Sequence, residues 1–296
     1  MIQRANLEGR SGARRRSEVP TAVLAALEAG EVESVNLMEW LAADMGRLAA
    51  HVARALPPGQ LGSSLARAAR EMSSATITQR LRIAGRAIAA ACSARGSEFD
   101  ALRTHKSDLV RQWACYAVND SCLSLSLDQR LEETLQFAAD RNMSVRETAW
   151  MAFRPHLVDQ FDAVLPRLER LAAHENDNIR RFAVEGTRPR SVWGAHLPIL
   201  KRQPERGRKL LEQVKSDQSR YVKLAAGNWL NDASRTRADW VIDLCREWSR
   251  SDDAHTRFII NRGLRTIVRS GGGGTPRMPL QQEQTQAISA VENGHD

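Results

Sequence analysis

The sequence predicts an all-α protein, an α-solenoid of HEAT-like helix pairs. Three observations predict it. No strand-like alternation of any length appears, apolar residues recur at helical spacing, and one pattern returns five times along the chain. The copies are "LVRQWACYAVND" at Arg111, "SVRETAWMAFRP" at Arg146, "NIRRFAVEGTRP" at Arg180, "YVKLAAGNWLND" at Lys223 and "HTRFIINRGLRT" at Arg257, at intervals of 35, 34, 43 and 34 residues. Each carries a basic residue after a mostly β-branched one, then an apolar helix face, then Asn-Asp, Arg-Pro or Arg-Thr where the helix is expected to end. Stretches such as "LDQRLEETLQFAAD" and "ADWVIDLCREW" supply the intervening helices. A single pair cannot bury its apolar face alone, so such pairs stack into one curved body.

Taken in order, residues 1–18 are polar and basic and are expected to be disordered. Residues 19–270 form the repeat domain. Within it, "LMEWLAADMGRLAAHVARAL" and "ITQRLRIAGRAIAAACSA" read as amphipathic helices that cap or extend the stack. In the third copy Asp177 is the expected N-cap and Gly186 the stop. Residues 271–296, rich in Gly, Pro and Gln, are expected to be a disordered tail.

Composition narrows the function classes. No run approaches the roughly 18 apolar residues that span a bilayer, and the N-terminus lacks an apolar signal core, so a cytoplasmic protein is expected. Cys92, Cys115, Cys122 and Cys245 show no CxxC pair and no His partner spacing; they read as buried thiols, with no metal site and no disulfide framework. The formal net charge is +8 and only five of the 43 basic residues are lysine. Arginine forks onto phosphate oxygens and stacks on bases, so nucleic acid is the expected partner, although a GC-rich genome gives the same bias. An anionic membrane is less fitting, because no basic amphipathic helix carries an aromatic face.

The repeat places the basic residues Arg111, Arg146, Arg180, Lys223 and Arg257 at one recurring position, so they are expected to line one concave surface and to bind DNA phosphates there. HEAT helices also carry an arginine at this place as a structural feature, and both readings stay open. Three acids lie in or just beyond the repeat helices: Glu147, Glu185 and Asp232. Glu147 fits a capping box with Ser144, and Asp232, which ends "NWLND" before the next helix, fits a turn role. Glu185 has no such local reason. It sits in a last helical turn, where the macrodipole disfavours a carboxylate, and Arg181 precedes it in the weaker orientation. Trp113, Trp150 and Trp229 suit a core, whereas Trp193 lies in a loop between Pro189 and Pro198.

The stretches "NIRRFAVEGTRPR" with Trp193, "DQSRYVKLAAGNWLNDASRTRADWV" and "HTRFIINRGLRT" resemble the bacterial DNA alkylation repair glycosylases built from HEAT-like repeats, the AlkC and AlkD group, with AlkC the nearer. The resemblance covers roughly residues 75–269. It implies a monofunctional glycosylase of base excision repair that releases cationic alkylated bases, such as 3-methyladenine and 3-methylcytosine, from double-stranded DNA, acting without a cofactor and as a monomer. AlkC relatives can carry a C-terminal immunoglobulin-like domain, and this chain resembles the shorter form without it. By motif match the implied catalytic residues are Glu147, Glu185, Trp193 and Asp232. Arg188 and Arg190 would take flanking phosphates, with Arg265 of the fifth copy beside the row. The competing readings are a HEAT-repeat scaffold for a protein partner and a nucleic-acid binder without turnover.

Overall fold

The structure, a computed structural model, describes residues 7, 9–94 and 96–269. Sixteen α-helices and no strand occur among the described residues. The five sequence copies form α7 (Asp108–Val118), α9 (Met143–Asp159), α11 (Asp177–Gly186), α14 (Arg220–Ser234) and α16 (Ala254–Arg269). They pack side by side in that order, and α5 (Ile77–Ala89) continues the row beyond α7. A second layer backs it: α8 (Leu127–Ala138) on α7 and α9, α10 (Phe161–Leu171) on α9 and α11, α13 (Arg208–Val214) on α11 and α14, and α15 (Ala238–Trp248) on α14 and α16. This is the solenoid expected from the repeat.

At α7 every residue is buried, so neighbours surround it on all sides. Its contact with α5 depends on Gly85, where an added Cβ would stand 2.5 Å from Tyr116 Cβ. Apolar side chains at helical spacing do the joining elsewhere: Ile179, Phe182 and Ala183 bury the inward stripe of α11, with Phe182 against Phe153 of α9.

Five further helices precede α7. They are α1 (Thr21–Glu28), α2 (Leu37–Ala42), α3 (Met45–Ala55), α4 (Gln60–Glu71) and α6 (Ser97–Arg103). The stretch read as one helix over 37–56 is broken after Ala42, because Asp44 accepts from the amides of Gly46 and Arg47 and starts α3 afresh. Nor are residues 7 and 9–18 a free tail. Arg10 forks onto Glu39 at 2.8 and 2.7 Å, supplying the counter-charge that a carboxylate buried in α2 requires. The rest of the expected N-terminal disorder and the tail 271–296 lie outside the described residues.

Three expected helix ends are not ends. α9 runs through Pro155 to Asp159, α14 continues past Asn231 and Asp232 to Ser234, and α16 passes Arg265 and Thr266. The N-cap of α11 is Asn176, one residue before Asp177; its side chain accepts from the Asn178 amide. Of the thiols, Cys115 and Cys245 are buried as expected, Cys92 is half-buried and Cys122 is exposed. Burial pushes Cys92 up to about 11 and Cys245 up to about 12.

The long interval of 43 residues has a structural cause. Between α11 and α14 the chain inserts the loop 187–197, the short helix α12 (Pro198–Arg202) and a 3₁₀ turn at Pro204–Gly207.

Candidate functional site at the α11 to α12 loop

The loop 187–197 is fixed from below by Arg154. Aimed out of α9, this buried guanidinium donates to the carbonyls of Gly186 at 2.7 Å, Arg188 at 2.7 Å and Ala195 at 2.6 Å. Burial pulls its pKa down to about 10, with the neighbouring Arg188 charge acting in the same direction and Glu185 and Asp232 opposing. Ser191 Oγ accepts from the amides of Trp193 and Gly194, and the Leu197 amide donates to the Pro189 carbonyl. Trp193, half-buried, thereby rests edge-on against Trp40 of α2, ring centroids 5.8 Å apart. Trp40 is itself held by its indole N–H on Gln112 Oε1 of α7 at 2.7 Å.

Glu185 and Asp232 meet at one guanidinium. Glu185, 4% exposed, accepts from Arg188 Nη1 at 2.5 Å, and Asp232, 6% exposed, accepts from Arg188 Nε at 2.8 Å. Because α14 does not stop at Asn231, Asp232 is a helical residue carried to α11, and the expected turn role does not apply. Arg181 Nη1 lies 3.5 Å from Glu185 Oε2, an oxygen that makes no hydrogen bond although it is buried. The acid at the unfavourable helix end is thus held by two arginines, an attraction that outweighs the macrodipole.

Glu147 has a different setting. Its Oε1 accepts from Arg181 Nε at 3.0 Å, Arg181 Nη2 at 2.7 Å and the Tyr221 hydroxyl at 2.8 Å, and its Oε2 accepts from the Trp150 indole at 2.9 Å. Burial alone would raise its pKa; the Arg181 charge and the hydrogen bonds from Trp150, Arg181 and Tyr221 bring it below the usual value. The expected capping box does not form, because Asn142 caps α9 and accepts from the Ser144 amide. Arg181 lies over the Tyr221 ring at 3.9 Å and also donates to the Tyr221 carbonyl. Glu147 therefore orients Arg181, and Arg181 faces Glu185.

The row of repeat cations stands differently from the expectation. Arg111, Arg146, Arg180 and Arg257 each donate to carbonyls five or six residues earlier in the chain, in the turn before their own helix. Arg111 and Arg180 also fork onto Asp140 and Asp217 of the following repeat junctions. Arg111 is buried, so it does not line an open groove; its pairing holds repeats together. Lys223 Nζ is 2.8 Å from His255 Nδ1 and Arg257 is paired with Asp252.

A second set of arginines surrounds the acids instead. Arg190 donates to the Asp232 carbonyl at 3.3 Å, and Arg262 donates to Asn228 at 2.9 Å. Arg262 crosses Gly227 so closely that a Cβ there would stand 2.7 Å from its own Cβ. Burial, then Arg265, Arg188 and Arg220, lower the Arg262 pKa; burial also lowers that of Arg265, with Asp232 opposing and Arg188, Arg269 and Arg235 adding to the decrease. Crowded like charges of this kind suit a site that receives anions.

Sequence reasoning missed Arg154, Tyr221, Trp40 and Arg262, and gave Arg181 only as the residue that precedes Glu185 by one helical turn. The 43-residue interval was the signal for the loop, since an insertion in a repeat array commonly sits on a binding face. Trp113, Trp150 and Trp229 are buried, as a core role requires. Among the described residues no three His, Cys, Asp or Glu side chains gather in a metal-binding group, and no helix is long and apolar enough to cross a membrane.

The chain is similar to several known proteins. A solved structure of Pseudomonas fluorescens alkylpurine DNA glycosylase AlkC, bound to DNA containing an abasic site analog, matches with a TM-score of 0.63 at 22% identity, over 77% of this chain and 63% of that one. The structure of smu.31 from Streptococcus mutans UA159 matches at 0.50 and 20% identity, over 74% of this chain and 97% of that one. These likenesses show the fold. YhaZ of Bacillus subtilis strain 168, an uncharacterised protein, is 34% identical over 124 residues, which are 42% of this chain and 34% of YhaZ. This chain thus spans about a third of YhaZ and less than two thirds of AlkC in the matched regions. The family described as DNA alkylation repair enzyme matches residues 129–265, a stretch that contains Glu147, Glu185, Trp193 and Asp232. Over residues 129–265, just under half of the chain, the sequence is thus similar to the DNA alkylation repair enzyme family.

Proposed function

We propose that this chain is a DNA glycosylase that hydrolyses the N-glycosidic bond of cationic alkylated bases, of the 3-methyladenine and 3-methylcytosine class, in double-stranded DNA. The observation that carries the reading is the buried pair Glu185 and Asp232, set among Arg188, Arg190, Arg262 and Arg265. A polyanion site excludes acids unless positive charge must be stabilised there.

A cationic base is already a good leaving group. As the C1′–N bond breaks, its electron pair passes to the base and neutralises it, so no acid need protonate the ring. The sugar left behind is oxocarbenium-like. Glu185 and Asp232 stabilise that charge and orient the water whose oxygen bonds to C1′, and the water's proton leaves to a carboxylate or to solvent. Trp193, braced by Trp40, lies against the lesion. Glu147 is a positioning residue that acts through Arg181. Arg190 and Arg265 hold flanking phosphates. The reaction needs no Lewis acid.

The deciding experiment is single-turnover base release from methylated duplex DNA. Wild-type protein is expected to release the methylated bases, and Glu185→Gln to release them about 10²-fold more slowly, the usual loss for one transition-state electrostatic partner. No release by the wild type would reject the reading and leave a passive binder.

A further inference from the structure

Arg188 has two roles that it cannot fill at once. As a phosphate ligand it would reach outward to DNA. In the structure its Nε and Nη1 lie on Asp232 and Glu185 at 2.8 and 2.5 Å, where the positive charge of a substrate would have to sit. The acids are the closed partners and the arginine the open one: the side chains of Glu185 and Asp232 are 5% and 9% exposed, that of Arg188 21%. Burial would lower the Arg188 pKa, but the Glu185 and Asp232 charges reverse this and raise it, so the guanidinium stays charged. Arg181 is not free to play this part, because Glu147 and Tyr221 hold it from three sides. Glu185 Oε2 keeps an unused acceptor position within the buried site.

We infer that Arg188 is a removable counter-ion: with no substrate it neutralises Glu185 and Asp232, and a cationic base or sugar displaces it onto a flanking phosphate. Selectivity for charged lesions follows. Removing one partner from a buried ion pair leaves an uncompensated charge, so the exchange is balanced only when the incoming group is itself a cation. A neutral base brings no replacement, and specificity is the difference between the two exchanges. The displaced guanidinium has a destination, since the neighbouring Arg262 and Arg265 are crowded cations that a phosphate would relieve. This rests on the glycosylase reading for the identity of the ligand.

The test is a binding measurement, readable whether or not any base is released. Two duplexes differ at one position: a neutral tetrahydrofuran abasic residue in one, a protonated pyrrolidine abasic residue in the other. Affinities of the full chain are compared by fluorescence anisotropy at one salt concentration. With Arg188→Gln the acids lack their resident cation, so the ratio of pyrrolidine to tetrahydrofuran affinity is expected to rise about 10-fold or more over wild type, a difference of about 1.4 kcal/mol. An equal fall in both affinities, leaving the ratio unchanged, would make Arg188 a plain phosphate ligand and overturn the inference. Should that variant fail to fold, the wild-type protein labelled at arginine Nε serves, with the Arg188 resonance assigned by its loss in Arg188→Lys. It is expected to shift with pyrrolidine DNA and to hold its place with undamaged duplex; the same response to both overturns the inference.

Discussion

At the scale of single residues, the three acids separate by their partners. Glu147 accepts four hydrogen bonds and is committed to Arg181, Tyr221 and Trp150, whereas Glu185 retains a buried oxygen without a hydrogen bond. Glu147→Ala is therefore expected to destabilise the fold by about 2–4 kcal/mol, because it takes from Arg181 its hydrogen-bonded carboxylate and leaves the Trp150 indole N–H unpaired. Denaturant unfolding measures this, and a loss below 0.5 kcal/mol would show that the network is slack. Glu185→Gln and Asp232→Asn should act mainly on turnover. Arg188 keeps one carboxylate in each variant and Arg181 keeps Glu147, so a stability loss of about 1 kcal/mol is expected beside the ~10²-fold fall in base release. A Glu185→Gln protein with wild-type turnover would remove this residue from the chemistry. The odd placement of Glu185 was legible from the sequence as a conflict with the macrodipole. The arginine that resolves the conflict was visible only as a neighbour in the chain.

At the scale of elements, the repeat cations and the site cations do different work. Arg180 is spent on Asp217 and on two carbonyls, so neutralising it should lower thermal stability and leave the salt dependence of DNA binding almost unchanged. Neutralising Arg190 and Arg265 together should do the reverse and reduce the slope of log affinity against log salt by about 2, close to 0.9 per phosphate contact released. A titration of undamaged duplex at several salt concentrations separates the two. If the Arg180 variant flattens the slope as much as the pair does, the row faces DNA after all. The loop 187–197 is the second element. Three of its flanking carbonyls depend on Arg154, and Arg154→Met is expected to lower hydrogen-exchange protection across residues 188–197 while α7 and α14 stay protected. Uniform loss of protection would mean that Arg154 supports the whole stack. The sequence marked this loop only by its long interval. It missed the anchor, because an Arg-Pro pair reads as a helix end and α9 runs on through it.

At the scale of the whole molecule, the N-terminal helices are tied to the repeat stack by a buried polar junction. Asp108 of α7 accepts from the amide and hydroxyl of Ser34, and Gln112 beside it receives Trp40, which braces Trp193. Burial raises the Asp108 pKa from 3.8 to about 6, with the Ser34 hydrogen bonds only partly opposing it. Its folded-state value lies above the unfolded one, so the native state binds more protons between pH 4 and 6 and the contribution of this group to stability falls as pH rises through that window. Near pH 7 the penalty is about 3 kcal/mol from the size of the shift. Denaturation across pH 4–7 is expected to show a fall that Asp108→Asn lacks; parallel curves for the two proteins would refute it. What the sequence by itself determined was the all-helical solenoid, the five copies and the acids Glu147, Glu185 and Asp232. Helical periodicity, repeat spacing and a carboxylate against the dipole are local features, readable within one helix. What only the tertiary structure decided was which charges meet. Arg111 and Arg188 look alike in a sequence, yet one is sealed between repeats and the other bridges two acids from separate helices. Charge pairing depends on distances across helices far apart in the chain, and those distances are set by packing.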